Sequence, residues 1–167
     1  MNSEIANTNV GFNVLKGSVD FLNIVLNNIN SCVLLLDKDL NLRAFNDALK
    51  TIFSNKKNEN LLYRKCGEAI GCAYQIEENK ECGTTSKCNY CDLKASALKS
   101  YLNDEVVYKE HISKPFFDNN NRKVEKHLQF STRLFYFERE KYIIMIIEDI
   151  TRFIELEQKI SRSLQEE

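Results

Sequence analysis

Thiols are the groups in this chain with the strongest claim to chemistry. All of its six cysteines except Cys32 fall between Leu61 and Cys91, at Cys66, Cys72, Cys82, Cys88 and Cys91. A thiolate is a soft metal ligand and a nucleophile. Clustered cysteines in a reducing compartment therefore read as a metal or redox site before they read as disulfides. From Cys72 onward the spacing is C-x9-C-x5-C-x2-C. The closing C-x-x-C sets two sulfurs on one side of a tight turn, and Gly83 gives the backbone freedom to bring Cys82 around to meet them. Cys91 directly precedes a helix expected from Asp92, so its sulfur feels the positive helix end, while Lys87 and Lys80 offset part of the negative charge. Four thiolates leave the same two negative units around Zn²⁺ as around an oxidised [4Fe–4S]²⁺ cluster, so charge balance does not choose the metal. The spacing is not the paired C-x-x-C of a zinc ribbon, which leans toward iron and sulfur.

The remaining candidates carry less. Cys32 lies in an apolar strand and reads as a small core hydrophobe. Cys66 reads either as an additional thiol at the site or as a partly buried bystander. His111 and His127 fall on strand-like runs, where a lone histidine is more often hydrogen-bonded than ligating. Gly67, Gly71 and Gly83 do not form G-x-x-x-x-G-K-[ST] or G-x-G-x-x-G, so nucleotide hydrolysis has no support and no catalytic residue is assigned. The chain reads as a non-enzyme. Lys and Arg number 23 against 24 Asp and Glu, which leaves no excess to draw in nucleic acid or an anionic membrane. The N-terminus lacks a basic region, and the apolar run Phe21 to Ile29 is short and interrupted by asparagine. It reads as neither signal peptide nor membrane span, and the expected address is the cytoplasm.

The elements that must position these thiols follow from periodicity. Residues 1–20 are polar and aperiodic, a flexible lead-in. Phe21, Leu22, Val25, Leu26 and Ile29 recur at helical spacing, giving a short amphipathic helix that needs a surface to lie on. Ser31 to Leu36, the polar Asp37 to Asn41 and Leu42 to Phe45 form a β-hairpin. Asn46 and Asp47 supply capping oxygens for a short helix over Ala48 to Phe53, ended by the Ser54 to Asn60 run. Residues 61–91 show no clean period. Asp92 to Leu102 is helical, and strands follow at about Val106 to Ile112, Val124 to Phe137 and Lys141 to Asp149. The run Tyr142 to Ile147 is apolar on both faces, as in a sheet covered on both sides. From Thr151, Phe153, Leu156 and Ile160 take a and d spacing over about two heptads, too few to stand alone, so that helix continues in a longer chain or pairs in a dimer.

This order of elements resembles a PAS domain over roughly Phe21 to Gln158. Val33-Leu-Leu-Leu-Asp37 followed by Leu42-Arg-Ala-Phe-Asn46-Asp47-Ala48 is similar to the family's first two strands and the asparagine opening its third element. Glu148-Asp149-Ile150-Thr151 is similar to the motif from which PAS domains of bacterial sensors pass into a signalling helix. Gly67-Glu68-Ala69-Ile70-Gly71-Cys72, Glu81-Cys82-Gly83-Thr84 and Cys88-Asn-Tyr-Cys91 resemble a cysteine-bearing subgroup found in bacterial sensor kinases. That resemblance implies an α+β PAS fold: a five-stranded antiparallel sheet with short helices on one face, over residues 21–150, followed by a signalling helix over 151–167. It implies that Cys72, Cys82, Cys88 and Cys91 hold a metal, taken as an iron–sulfur cluster, with Cys66 where the pattern has proline. Haem-binding PAS domains use a ligand on the helix after the cysteine segment, and light-sensing ones an Asn-Cys-Arg segment, and neither feature is present.

The expected function is a sensor in which the state of the cysteine centre, set by redox poise, oxygen or nitric oxide, biases the C-terminal helix and so an output domain or partner such as a kinase. The expected assembly is a homodimer through the N-terminal helix, the outer sheet face and the C-terminal helix. The alternative is a protein-interaction module whose zinc only staples the loop. A small organic ligand in the core is a third option that no convergent set of polar residues supports.

Overall fold

A computed structural model describes residues 17–53 and 59–165. The expected lead-in, apart from 17–20, and the polar run at 54–58 lie outside the described residues. Helix α1 (Val19–Asn28) starts at Ser18, whose Oγ accepts the Phe21 N–H at 3.2 Å. None of its residues is buried, and Val19, Leu22 and Ile24 are more than half exposed. The hairpin follows as expected, with β1 (Cys32–Leu36) and β2 (Leu42–Phe45). Its turn is folded by Asp37, whose Oδ1 accepts the N–H groups of Asp39 and Asn41 at 3.0 and 2.9 Å. Helix α2 is Ala48–Ile52. The aperiodic segment folds as two short helices, α3 (Cys66–Ala69) and α4 (Ala73–Glu78), and a 3₁₀ turn at Cys88–Tyr90. Helix α5 (Asp92–Asn103), strands β3 (Val107–Phe117), β4 (Lys123–Phe137) and β5 (Glu140–Asp149), and helix α6 (Thr151–Gln165) complete the described chain.

The five strands form one antiparallel sheet in the order β2-β1-β5-β4-β3, which places β5 at its centre. Period-two alternation sends Ile143, Met145 and Ile147 into a core shared with Leu34, Leu36, Leu128 and Phe130. The other face of β5 carries Ile144 and Ile146. Among the described residues nothing buries Ile146, which stays 37% exposed. On the inner face α5 is fastened to β4 by a buried polar contact: Ser100 Oγ lies 2.7 Å from Thr132 Oγ1, which donates to the Ser96 carbonyl at 3.0 Å.

Two elements differ from expectation. Strand β3 runs five residues past Ile112 to Phe117, through Pro115. Proline has no N–H to give to a ladder, and the sheet accommodates it by position. β3 is the edge strand, so Pro115 pairs with Glu125 on one side and needs no partner on the other. Asn46 does not cap α2. Its buried amide accepts the Val33 N–H at 2.9 Å and donates to the carbonyls of Leu26 and Ser31 at 2.7 and 2.9 Å. Asp47 stands at the helix start without a side-chain cap bond. No helix among the described residues is long and apolar enough to cross a membrane.

Because Asn46 joins the end of α1 to β1, Asn46→Ala strands the half-buried Val33 N–H and frees two carbonyls. It should lower unfolding stability by about 2–3 kcal/mol, measured by urea denaturation followed by circular dichroism.

Candidate metal centre

Backbone geometry gathers the cysteines. Gly71, at φ +73, lets the chain turn from α3 into the extended residue Cys72, which bridges to Phe116 of β3. The Phe117 N–H donates to the Gly71 carbonyl at 2.9 Å beside that bridge. Gly67, in α3, leaves room for the neighbouring loop: a Cβ there would stand 2.6 Å from Cys82 Sγ and 3.6 Å from Cys72 Cβ. Gly83, at φ +103, turns the chain after Cys82 as the spacing suggested. The C-x-x-C closes as a 3₁₀ turn, with the Cys91 N–H donating to the Cys88 carbonyl at 3.3 Å. Cys91 then occupies the N-cap position of α5. The result is one narrow cleft of about 30 Å³ lined by Cys72, Cys82, Cys88 and Cys91, with Gly67, Thr85 and Lys114 among its other walls.

The surroundings of the sulfurs differ. Burial opposes ionisation at Cys88, but hydrogen bonds outweigh it and hold the thiol below its ordinary value. Thr85 contributes through its side chain and backbone, Gly83 through its N–H, and Lys94 through its charge. The Gly83 N–H donates to Cys88 Sγ at 3.2 Å, and Thr85 Oγ1 lies 3.0 Å from the same sulfur. At Cys82 burial dominates and pushes the thiol up against a backbone hydrogen bond from Gly67, and negative charge on Cys88, Cys72 and Cys91 pushes it further. Lys114 on β3 faces them. Burial disfavours its charge, yet Cys91, Cys72 and a hydrogen bond to the Cys72 sulfur hold its ammonium above the usual value.

The other candidates are placed as follows. Cys66 is buried in the hydrophobic core beside Cys32 and Leu61 and does not line the cleft. Burial first, then nearby thiolate charge, pushes its thiol well up. Cys32 is fully buried, and burial lifts its thiol to about 12. Lys87 lines the cleft from an exposed loop, but Lys80 pairs with Glu78 at 3.3 Å instead. His111 and His127 come together on the exposed sheet, with Nε2 and Nδ1 2.8 Å apart, away from the cysteines. Lys114 was missed because the expected strand stopped at Ile112. The signal available was its place two residues from Ile112 and Phe116 on an alternating face.

Four thiols, N–H donors aimed at sulfur, a glycine that admits Cys82 and an inward lysine form a donor set suited to a thiolate-bound metal group. Around one Zn²⁺ at about 2.3 Å, four sulfurs would stand about 3.8 Å apart. Among the described residues no three Cys, His, Asp or Glu side chains are drawn together to hold a single ion. The thiols are spread around the cleft walls rather than clenched on a point.

No family model matches the sequence, and no curated protein matches it significantly. Solved structures do match its fold. The PAS domain of nitrogen regulation protein NR(II) from Vibrio parahaemolyticus is 12% identical, with a TM-score of 0.55 over 77% of this chain and 97% of that one. The PAS domain of Bordetella pertussis BvgS is 16% identical, with a TM-score of 0.55 over 89% and 97%. An RNA-binding light-oxygen-voltage receptor is 15% identical, with a TM-score of 0.57, over 98% of this chain and 41% of that one. At these identities the likeness establishes the fold, an α+β PAS fold, and nothing about ligands.

The Cys88 hydrogen bonds have a measurable consequence. In metal-free protein, iodoacetamide should modify Cys88 at lower pH than Cys82, read by peptide mass spectrometry. Thr85→Val removes a donor to the thiolate and should move the Cys88 reaction to higher pH.

Proposed function

We propose that this chain is a sensory PAS domain whose Cys72, Cys82, Cys88 and Cys91 hold an iron–sulfur cluster, and that it relays redox or gas state to an output domain or partner such as a kinase. The observation that supports the reading is the placement of those four thiols around the walls of one cleft that also carries thiolate-stabilising groups. Bound there, a cluster would supply one-electron redox chemistry and sensitivity to oxygen.

The chain's own residues do the rest. Gly67 admits Cys82, Gly83 and Thr85 hold negative charge on Cys88, and the apolar walls Ile70 and Leu93 limit water. Because the four thiols stand apart around the cleft walls, a bound group would draw the segment carrying Cys82 and Cys88 inward, so occupancy would change how that segment packs. Cys91 transmits this to α5 as its N-cap residue, and the Ser96, Ser100 and Thr132 contact ties α5 to β4. At the far end of β4, Lys126 Nζ meets Asp149 at 2.7 Å, and the His127 N–H donates to Thr151 Oγ1 at 3.0 Å. Asp149 Oδ1 accepts from the Thr151 N–H at 3.0 Å at the start of α6. Burial opposes ionisation of Asp149, but bonds from Lys126 and Thr151 prevail and hold its carboxyl below the ordinary value. Signalling requires two arrangements of α6 that the site favours unequally.

A homodimer completes the reading. Apolar side chains on α1, on the outer sheet face at Ile146, Phe135 and Phe137, and on α6 at Phe153, Leu156, Ile160 and Leu164 are exposed in the single chain. A double variant Leu156→Asp, Ile160→Asp should shift the protein from dimer to monomer in light scattering, with its circular dichroism largely kept.

Anaerobic purification should give brown protein with iron and acid-labile sulfide, and serine at Cys72, Cys82, Cys88 or Cys91 should abolish the colour. Colourless protein carrying stoichiometric zinc would sink the cluster and favour a structural staple.

A further inference from the structure

Lys114 is out of place for a lysine. On β3 the side chains of Ile112, Lys114 and Phe116 share the face turned toward the helices, and Phe116 is fully buried in the core. Lys114 is half-buried, and burying an ammonium without a counter-charge is costly. No carboxylate among the described residues stands within ion-pairing distance of it. Its surroundings are the face of Tyr74, with Nζ 5.0 Å from the ring centroid, and the sulfurs of Cys72 and Cys91. Backbone bonds hold it there, since the Cys72 to Phe116 bridge and the Phe117 N–H to Gly71 bond fix the end of β3 against the cysteine segment.

We propose that Lys114 is the built-in counter-ion of the thiolate centre, a positioning residue that sets the charge of the site without ligating the metal. This inference rests on the metal reading above. Four thiolates around a 2+ centre carry two negative units, and the lysine halves that excess inside a medium that screens poorly. Lys87 and Lys94 lie nearby, but Lys87 sits on an exposed loop, where water weakens its pull. The tyrosine ring beneath Lys114 keeps the ammonium directed at the cleft. A fixed positive charge beside an electron-accepting group also favours its reduced state, so Lys114 raises the potential at which the centre takes up an electron.

The role is read on binding and potential, which a purely structural lysine would not move. In metal-free protein Cys72, Cys91 and Tyr74 already hold the ammonium, so Lys114→Met should shift the melting midpoint by no more than about 2 °C. In loaded protein the same change should weaken Co²⁺ binding, followed by the sulfur-to-cobalt charge-transfer band in competition with a chelator, by about tenfold or more. After reconstitution with iron and sulfide, its reduction should move to more negative potential. Lys114→Arg, which keeps the charge, should stay close to the parent chain in Co²⁺ affinity.

Equal Co²⁺ affinity in Lys114→Met and the parent chain overturns the proposal, as does equal loss in the Met and Arg variants, which would assign the effect to shape. A parent chain that takes up neither Co²⁺ nor iron and sulfide overturns the metal centre itself, and the role of Lys114 with it.

Discussion

The arrangement of this domain turns on one short piece of backbone pairing, the bridge between Cys72 and Phe116 with the Phe117 to Gly71 bond beside it. The strands by themselves make only a sheet. The bridge fastens the helical segment to the sheet's outermost strand, and everything chemical in the molecule depends on that fastening. It sets Cys72 on the cleft wall, directs Lys114 at the sulfurs and closes Phe116 over Phe53, whose rings stand 5.0 Å apart. The positive φ of Gly71 is what the bridge requires of the sequence, because the turn from α3 into Cys72 passes through a conformation that strains any residue with a Cβ.

Much of this was legible beforehand, for identifiable reasons. The hairpin, α5 and the central strand announce themselves through local periodicity, and Gly83 and the C-x-x-C turn do so through backbone chemistry. What escaped depended on neighbours distant in the chain. The expected third strand ended at Ile112, whereas it continues through Pro115, which an edge position tolerates. With β3 cut short, Lys114 belonged to no expected element. Asn46 reads as a helix cap because Asx residues usually bond locally, whereas its amide here spans α1 and β1. Cys66 falls among the other thiols in sequence, but the first turn of α3 points it into the core.

The polar contacts form a second layer of organisation over the apolar core. Asn46, the Ser96, Ser100 and Thr132 group and the Asp149, Thr151, Lys126 group each join two elements that hydrophobic packing alone would leave free to slide. Their donors and acceptors are directional, so each fixes a register. The segment carrying Cys82 and Cys88 is held more lightly, largely by its own turn bonds and by Glu78 bonding Ser86. Rigidity is therefore concentrated in the path from α5 to α6 and relaxed at the thiols.

The spacing of the apolar stripe on α6 has a mechanical meaning. Phe153, Leu156, Ile160 and Leu164 advance by three, four and four residues, all exposed on one side of the helix. A strict heptad would return after three at the last step. Eleven residues per three turns nearly match the natural pitch of an α-helix, so the stripe runs almost parallel to the axis instead of wrapping leftward. In the proposed dimer two such helices would leave the domain nearly straight, with little supercoil to lock their phase. A small turn of one about its own axis is then carried along its length as rotation rather than lost as winding.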